Sequence, residues 1–555
     1  MLAVAAPARA LALPPPSTGN LRAVALPPPS TGNLLVLFDQ DAARAAGGEA
    51  ALAQTLRWLG GGFAGKSVPE IGLVTVRPSP GASASAFAAL LRRLPGVVSV
   101  APEQRYVPRA VPNDPALSER DPSTGIPWQW YLTREGFEPA WSLENATGAL
   151  VGVIDTGIDA KHPDLRPKIA ALVDQQADAD ATGPPGTDQV GHGTHVASLA
   201  CADTDNGIGI AGAGYNCRLV IEKSDFTDSS IAAAIVDATR RHVKALNMSF
   251  GPSAPTSARA PASEVRALDY AAAHKVVLVA AASDSPGTEQ GDPANVLQPA
   301  GTGPHLLEGI GLDVTAADYA DRRASFAGSG SEISLAAYGS FTGAAATFLP
   351  CSGQPAGILG AYPGNPTQLE QFPPSACRVT LNGDNRYATL AGTSMAAPQV
   401  AATAAMMRAL NPYATLRDIL RTLKQTARRP PHTGWTGELG WGILDASAAL
   451  EAIRRVDRLA PVARLVAPRV ARRRSFTLTW SGHDQQRPEL IASGIAYYLL
   501  YVTVDGGRRT LIARTRRRRL TFTGRAGDRY TFLLVAVDRA GNRQVHPARA
   551  VTQVL

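Results

Sequence analysis

The sequence predicts a doubly wound parallel α/β sheet in the middle of the chain, with a small α+β domain before it and an all-β sandwich after it. Three observations support this prediction. Apolar runs typical of buried parallel strands, such as 149–154 and 276–280, are separated by helical patterns. Strands and helices alternate within a short region after residue 34. From Pro461 onward, short alternating strands are separated by turns, as in a β-sandwich.

Composition narrows the class of protein. The chain has 555 residues, of which 45% are hydrophobic and 18% charged, so it is long enough for about two to four globular domains. The net charge of +8 is not accompanied by a motif for RNA or DNA binding, so we expect a solvated basic surface and no nucleic acid partner. No apolar stretch reaches the length of about 18 residues that a membrane span needs, so we expect no membrane span. We also expect the protein to be a monomer.

The predicted domain boundaries follow changes in the sequence pattern. A proline-rich segment at 13–21 recurs at 26–34, which indicates an extended linker. Residues 1–12 end in an Ala-x-Ala-like site and are either the tail of a secretory signal or a flexible terminus. We expect the linker at 1–33, the α+β domain at 34–110, the parallel-sheet domain at 111–455 and the β-sandwich at 456–555.

The two flanking domains allow predictions of single elements. In the first domain, which we expect to be ferredoxin-like, the predicted strands are Leu34–Phe38, Gly72–Val76 and Val97–Val100, and the predicted helices are Ala42–Leu59 and Ser85–Leu94. In the last domain, of fibronectin type III or immunoglobulin type, the predicted strands are Ser475–Trp480, Ala496–Val504, Leu511–Arg514, Arg519–Thr523 and Tyr530–Val537. The last domain is either a stabilising spacer or a binding module.

Three segments carry residues suited to nucleophilic catalysis. Asp155 ends an apolar strand and therefore faces the crevice at the carboxyl edge of a parallel sheet. His192 lies on a glycine-flanked turn that enters an apolar helix. Ser394 lies between small residues at the start of the run Met395–Leu410, where the first amides of a helix point toward it. Asp, His and Ser in this order form one of the known acyl-transfer triads, although Ser394 taken alone also fits an ordinary helix start.

These motifs resemble those of the subtilisin-like serine proteases, the subtilases. The three matching segments are D-T-G-I-D at 155–159, G-H-G-T-H-V-A at 191–197 and G-T-S-M-A-A-P at 392–398. The resemblance extends over residues 125–453. It implies a subtilisin-like fold and a secreted serine endopeptidase that cleaves proteins and peptides and needs no cofactor for catalysis.

The resemblance also implies roles for single residues. Ser394 would attack the scissile carbonyl, His192 would transfer the proton, and Asp155 would orient the imidazole. The segment Pro95–Tyr106 resembles the end of a subtilase inhibitor propeptide. The first domain would then act as an intramolecular inhibitor until it is cleaved between Arg105 and Asn113.

One position departs from the family pattern. Most subtilases have an asparagine that donates to the oxyanion after the strand 276–280, and this chain has Asp284 there. An ionised Asp only accepts hydrogen bonds and repels the developing negative charge, so we predict reduced activity. Either Asp284 is held protonated, or the backbone N–H of Ser394 stabilises the oxyanion. The alternative function is a catalytically weakened subtilase fold that binds peptides or protein partners.

Further residues are assigned by resemblance. Ser249, Phe250 and Gly251 would form the strand that pairs with the substrate and the wall of its main pocket. The candidate ligands of a structural calcium ion are Asp164, Asn206, Ile208 and Ile210, although a calcium-free loop is equally compatible with the sequence. His195 lies near His192 without a third metal ligand, and we interpret it as structural.

Four cysteines indicate disulfide bonds. They allow three pairings, and we favour the local one, which joins Cys201 to Cys217 and Cys351 to Cys377; free buried thiols are the alternative. Disulfides would indicate an oxidising compartment. Residues 340–388 are longer than a compact subtilase needs before its serine, which predicts a disulfide-pinned surface insertion near the cleft.

Overall fold

The computed structural model describes residues 30–39, 54–79, 82–104, 112–122, 124–177, 183–252, 260–342, 357–371, 377–429, 434–485 and 489–555. The chain forms two compact units, Met1–Pro108 and Arg109–Leu555. Most of the proline-rich repeat, the greater part of the helix expected at Ala42–Leu59, and Cys351 lie outside the described residues. So does nearly all of the expected cleavage region. Within these ranges, no helix has both the length and the apolar character needed to cross a bilayer.

The first unit is a small α+β domain, as predicted. Its elements are β1 (Ser30–Phe38), β2 (Gly61–Phe63), β3 (Leu73–Pro78), α1 (Ala84–Leu91) and β4 (Val97–Gln104), with a 3-10 turn at Pro69–Ile71 and a helical segment at 54–58. The antiparallel sheet has the order β2-β3-β1-β4. Phe87 and Leu91 of α1 pack on Val36 and Val76 of the sheet. The succession of strands and helices is the ferredoxin-like one.

The second unit is built on a seven-stranded parallel sheet, which confirms the predicted fold class. Its strands are β5 (Leu150–Asp155), β6 (Ile169–Asp174), β7 (Arg218–Lys223), β8 (Ala245–Met248), β9 (Val277–Ala281), β10 (Leu312–Ala317) and β11 (Leu335–Tyr338). Their order is β11-β10-β9-β8-β5-β7-β6. The strands are apolar because separate cores cover both faces. Asp155 ends β5, between β7 and β8, where the strand order reverses and such sheets place their ligands.

Helices surround this sheet. They are α2 (Pro115–Ser118), α3 (Trp130–Arg134), α4 (Phe137–Trp141), α5 (His192–Cys201), α6 (Asp228–Arg240), α7 (Ala262–Ala273), α8 (Ala294–Leu297), α9 (Thr393–Leu410), α10 (Leu416–Thr426) and α11 (Ala446–Ile453), with 3-10 turns at Arg166–Lys168 and Gln368–Glu370. Side-chain hydroxyls cap α6 and α10: Thr227 accepts from the N–H of Ser230, and Thr415 forms a capping box with Asp418.

Helix α9 is the buried helix of the second unit. Nearly all of its side chains are buried, and most of them are small, so it packs closely under the sheet. Pro398 lies inside this helix and has no N–H to donate to the carbonyl of Ser394, four residues earlier. The hydroxyl of Ser249, from the segment after β8, donates to that carbonyl at 3.0 Å instead. The sequence thus leaves an acceptor open in the first turn of α9, and a neighbouring segment satisfies it.

The segment before α9 forms a second, smaller sheet. Strands β12 (Ile358–Ala361), β13 (Cys377–Leu381) and β14 (Asp384–Leu390) are antiparallel, in the order β12-β14-β13. β12 is buried and packs on α5, where the N–H of Ala361 donates to the hydroxyl of Ser198 at 2.9 Å. The described part of the predicted surface insertion is therefore partly core, because its strand covers the helix that begins with His192.

The C-terminal region is an all-β sandwich, as predicted. Its strands are β15 (Val462–Val466), β16 (Val470–Ala471), β17 (Ser475–His483), β18 (Ile495–Val504), β19 (Thr510–Thr515), β20 (Arg519–Thr523), β21 (Arg529–Asp538) and β22 (Ala548–Val554). They form sheets of order β15-β17-β20 and β16-β22-β21-β18-β19 around Trp480, Leu500 and Phe532. Arg458, just before the sandwich, pairs with Asp418 of α10 at 2.6 Å.

Candidate active site

Asp155 and His192 form the first part of the site, at the carboxyl edge of the parallel sheet. Nδ1 of His192 lies 2.8 Å from Oδ1 of Asp155, and Asp155 is fully buried. Burial alone would lower the pKa of His192, but the charge and hydrogen bond of Asp155, with the charge of Asp188, raise it. The carboxylate therefore orients the imidazole and leaves its Nε2 for a substrate or a nucleophile.

Close backbone approach explains one glycine of the histidine motif. A Cβ on Gly193 would lie 2.2 Å from the carbonyl oxygen of Gly157, so only glycine lets α5 begin this close to the turn after β5. The N–H of Gly193 also donates to the hydroxyl of Thr156 at 2.9 Å. These contacts hold His192 against the end of the strand that carries Asp155.

Asp188 is a positioning residue that the sequence analysis missed. Its Oδ1 accepts hydrogen bonds from the N–H of Gly191 at 2.8 Å and from the hydroxyl of Thr156 at 2.9 Å. Its Oδ2 accepts from the N–H and the hydroxyl of Thr194 at 2.8 and 2.7 Å. Asp188 therefore ties the first turn of α5 to the strand end. An acidic residue just before an apolar helix was the available signal.

Ser394 lies in the first turn of α9. Its hydroxyl donates to the carbonyl oxygen of Ser249 at 3.2 Å, and the hydroxyl of Ser249 in turn donates to the carbonyl of Ser394. Asn247 donates to the hydroxyl of Ser249 at 2.9 Å and fixes its position. Among the hydrogen bonds of the described residues, none joins Ser394 to His192.

Asp284 follows β9 and contacts the start of α9. Its Oδ1 accepts a hydrogen bond from the N–H of Thr393 at 2.8 Å and lies 2.9 Å from the hydroxyl of Thr393, which shares its single proton with the carbonyl of Ala282 at 2.6 Å. Its Oδ2 faces Gly392, on which a Cβ would lie 3.1 Å away. The residue is exposed to solvent, but the protein atoms around its carboxyl desolvate that group and raise its pKa, against the lowering effects of Thr393 and His192.

The predicted substrate strand follows β8. Ser249 is buried and touches Ser394, whereas Gly251 is exposed and Phe250 is half-buried. The ring of Phe250 contacts that of Phe226, with centroids 5.3 Å apart. The segment therefore runs from Ser394 toward the surface, with an aromatic pair beside it.

The comparison with protein families decides the identity of this site. Residues 146–442, more than half of the chain, match the model of the subtilase family. The chain belongs to the subtilase family. The described catalytic region is therefore of the subtilisin-like serine protease type.

Three relatives illustrate the similarity. An extracellular protease of Xanthomonas campestris pv. campestris is 29% identical over 408 residues, which cover 65% of this chain and 61% of that protein. Thermitase of Thermoactinomyces vulgaris is 27% identical over 58% of this chain and 94% of thermitase. Subtilisin DY of Bacillus licheniformis is 30% identical over 54% of this chain and 90% of that protein. The chain spans less than two thirds of the length of the Xanthomonas protein.

The residues predicted to bind calcium in this subtilase lie together but do not fit an ion as they stand. Asp164 accepts hydrogen bonds from Asn206 Nδ2 at 3.0 Å, from the N–H of Ile210 at 3.1 Å and from the hydroxyl of Tyr387 at 3.0 Å. The N–H of Ile208 donates to the side-chain oxygen of Asn206 at 2.9 Å. Both carboxylate oxygens of Asp164 face donors, whereas calcium needs oxygen ligands. These contacts satisfy the carboxylate without an ion, and burial raises the pKa of Asp164 to about 6.

One predicted disulfide is present in the described part of the subtilase. Cys201 ends α5 and is bonded to Cys217, which precedes β7. The backbone of Cys377 begins β13, but the pairing of Cys351 with Cys377 lies outside the described residues. The first disulfide therefore ties the end of the histidine helix to the neighbouring strand.

His195 is a buried structural residue in this subtilase. Its Nε2 lies 3.1 Å from the carbonyl oxygens of Ile358 and Ala388, on the small sheet before α9. Burial lowers the pKa of His195 to about 3, so it is neutral at physiological pH. A neutral imidazole that donates to these carbonyls fastens α5 to the small sheet.

One group of three carboxylates was not anticipated from the sequence. Oxygen atoms of Asp457, Asp484 and Asp538 lie within 4.8 Å of one another, where the subtilase domain meets the sandwich. Backbone amides donate to this group: the N–H of Ser493 to Asp457 at 2.9 Å and the N–H of Gly494 to Asp484 at 2.6 Å. Burial and the two neighbouring carboxylates raise the pKa of Asp484.

Proposed function

We propose that the chain is a secreted serine endopeptidase that is made as a zymogen and processed by its own active site. The proposal rests mainly on the hydrogen bond between His192 and Asp155 at the carboxyl edge of the sheet. Asp284 binds the start of α9. In this proposal the whole chain is the zymogen of the protease, and its first unit is the propeptide.

In the proposed mechanism, the hydroxyl of Ser394 attacks the scissile carbonyl and forms an acyl-enzyme. His192 takes the proton of Ser394 at Nε2 and returns it to the leaving amine, while Asp155 stabilises the imidazolium. In the resting site the hydroxyl of Ser394 donates to the carbonyl of Ser249, so it must rotate toward His192 before attack.

In this mechanism Asp284 acts as a neutral carboxylic acid. Its Oδ1 is anchored as an acceptor by the N–H of Thr393, which leaves Oδ2 as the site for a proton. A bound substrate would cover the open part of the side chain and favour the neutral form further. The acid and the backbone N–H of Ser394, which has no acceptor among the described residues, would then both donate to the oxyanion.

The substrate would add a strand to the segment 249–251, with main-chain hydrogen bonds giving affinity. We propose that the first unit, which ends its last strand at Gln104, is the propeptide and inhibits the enzyme until it is cleaved. Secretion is supported by the disulfide between Cys201 and Cys217 and by the extracellular protease among the relatives.

Intact mass spectrometry of the full chain tests the proposal. Wild type and Ser394→Ala are purified under oxidising conditions, and their masses are compared. We expect wild type to lose the segment before the region 105–113 and the variant to keep it, because self-cleavage needs the nucleophile. Equal full-length masses, together with no cleavage of casein by wild type, would contradict the proposal.

The second candidate is a weakened subtilase fold that binds peptides or partners. Two observations favour it: the carboxyl of Asp284 in place of an amide, and the resting hydrogen bond of Ser394 to Ser249 rather than to His192. Equal masses for wild type and Ser394→Ala, with measurable binding of unstructured peptides by both, would establish this alternative.

A further inference from the structure

A surface cavity of about 470 Å³ lies at the amino edge of the parallel sheet, away from the active site. The residues just before β5, β8 and β9 line it, together with the carboxyl ends of α6, α7 and α9. Strand β5 starts at this edge with Leu150 and reaches Asp155 about 17 Å later, at about 3.3 Å per residue. The cavity is therefore separate from the catalytic group, and its volume suits a small organic ligand.

Five basic side chains line this cavity, whereas no carboxylate of the described residues does. We call it the basic cavity, and its basic residues are His242, Lys244, His274, Lys275 and Arg408. His242 and Lys275 have left-handed backbones, with φ of 62° and 67°, just after α6 and α7, where glycine is more usual. Each of these two side chains is thus present at a conformational cost. Because basic residues from three segments meet here, the cavity has a positive potential.

Arg408, in the last turn of α9, is the buried member of this group. Only 6% of its surface is exposed. Its guanidinium donates to the carbonyl oxygens of Lys275, at 3.1 Å, and of Ala414, but its Nε is enclosed and has no acceptor among the described residues. Asp418, whose charge acts on Arg408, is already bonded to Arg458 at 2.6 Å. A buried guanidinium with only neutral acceptors is costly, so an anion in the cavity would be stabilising.

The helix ends do not balance the charge of the basic cavity. The end of each helix carries about half a negative charge, and three helices end here. Lys244, Lys275 and Arg408 together carry about twice the opposite charge, even with both histidines neutral. Among the ion pairs of the described ranges, none includes these three residues. Positive charge therefore remains for a ligand.

We propose that the basic cavity binds a small organic molecule that carries two phosphate groups. A phosphate has about −1.5 to −2 charges at pH 7 and accepts several hydrogen bonds, which suits ammonium and guanidinium donors. Two phosphates therefore balance two lysines, one arginine and part of the charge of the histidines. The volume of the cavity leaves room for the carbon skeleton that joins them.

This site does not depend on the proposed function. Helix α9 carries Ser394 in its first turn and Arg408 in its last, about 21 Å apart along the helix axis. A ligand in the basic cavity would contact the ends of α6, α7 and α9 and would not compete with a peptide at Ser394. We expect it to stabilise the fold, because it binds the folded chain and not the unfolded one.

Isothermal titration calorimetry of the full chain with fructose bisphosphate tests the proposal. The parent protein is Ser394→Ala, so that self-digestion does not interfere, in buffer with a chelator at constant ionic strength. It is compared with the same protein carrying Lys244→Gln, Lys275→Gln or the control Lys161→Gln; Lys161 is exposed after β5, at the opposite edge of the sheet. We expect the parent to bind, each test variant to have a Kd raised by about tenfold or more, and the control to bind like the parent. No binding by the parent, or an unchanged Kd in both test variants, would overturn the proposal.

Thermal unfolding separates a ligand site from ordinary neutralisation of helix ends. We expect fructose bisphosphate to raise the Tm of the parent protein, fructose and sodium chloride of equal ionic strength to leave it unchanged, and Lys275→Gln to reduce the rise. If the basic residues only neutralise the helix ends, Lys275→Gln lowers the Tm without ligand and the bisphosphate has no effect on the parent, which overturns the proposal. Citrate, a polyanion without phosphate, is the chemical control, and equal affinities for citrate and the bisphosphate would overturn the assignment to phosphate.

Discussion

The protonation state of Asp284 is the main chemical question at this active site. Its Oδ1 is held by Thr393, so the carboxyl cannot turn away from the start of α9. Its ionisation therefore decides whether a donor or a negative charge faces the reacting carbonyl. The motifs predicted Asp155, His192 and Ser394, but not the role of Thr393, because its contact with Asp284 spans 109 residues of sequence.

Asp284→Asn should restore an amide donor and raise kcat/KM most at alkaline pH. Removing the amide from a related subtilase lowers the rate by about 10²–10³-fold, so we expect a gain on the order of 10²-fold at pH 9. The sign follows from the raised pKa of Asp284: wild type has the donor below that pKa and loses it as the pH rises.

The measurement is a pH–rate profile of wild type and Asp284→Asn, with Asp269→Asn as a remote control of the same charge change. A constant ratio of the wild-type and Asp284→Asn rates from pH 5 to pH 9 would show that protonation of Asp284 does not govern activity.

At the scale of elements, helix α5 carries much of the site. It starts with His192, its first turn donates the N–H of Thr194 to Asp188, it packs on β12 and it ends at Cys201, which is bonded to Cys217. The apolar periodicity predicted this helix and the strands beside it. It did not predict that the insertion before α9 covers the helix, because that contact joins His195 to the carbonyls of Ile358 and Ala388, which lie far along the chain.

Replacing Cys201 and Cys217 together by alanine should destabilise the subtilase domain. A bond that closes a loop of this length stabilises a protein by about 2–4 kcal/mol, so we expect a lower Tm. Calorimetry with and without a reductant checks this. The double variant should be less sensitive to the reductant than wild type, and an equal Tm for both oxidised proteins would show that the disulfide does not stabilise the domain.

At the scale of the whole molecule, the subtilase domain and the sandwich share a polar junction. The N–H of Ile491 donates to the carbonyl of Arg454 at 2.9 Å, and Asn542 donates to the carbonyl of Asp457 at 3.1 Å. The composition change near residue 456 predicted a boundary there. The three carboxylates could not be predicted, because they come from the linker and from the ends of two strands that only folding brings together.

Asp484→Asn should stabilise the protein at pH 8 and change little at pH 4. The pKa of Asp484 is higher in the folded protein than in the unfolded chain. Between the two pKa values the folded state therefore binds more protons than the unfolded state. The free energy of unfolding therefore falls as the pH rises through this window, and Asn removes that loss.

Thermal unfolding in buffer with a chelator, at pH 4 and pH 8, measures this effect of Asp484→Asn. Asp505→Asn, in a turn of the same sandwich, is the matched control. A Tm difference between wild type and Asp484→Asn that is the same at both pH values would contradict the assignment.

The hydrogen bonds between Ser249 and Ser394 couple the position of the nucleophile to the segment that would bind the substrate. Pro398 leaves the carbonyl of Ser394 open, and the segment that would receive the substrate supplies its donor. A substrate that docks poorly and displaces Ser249 would thereby misplace the nucleophile as well. The enzyme would discriminate against such a substrate through its turnover rate, even where the substrate binds tightly.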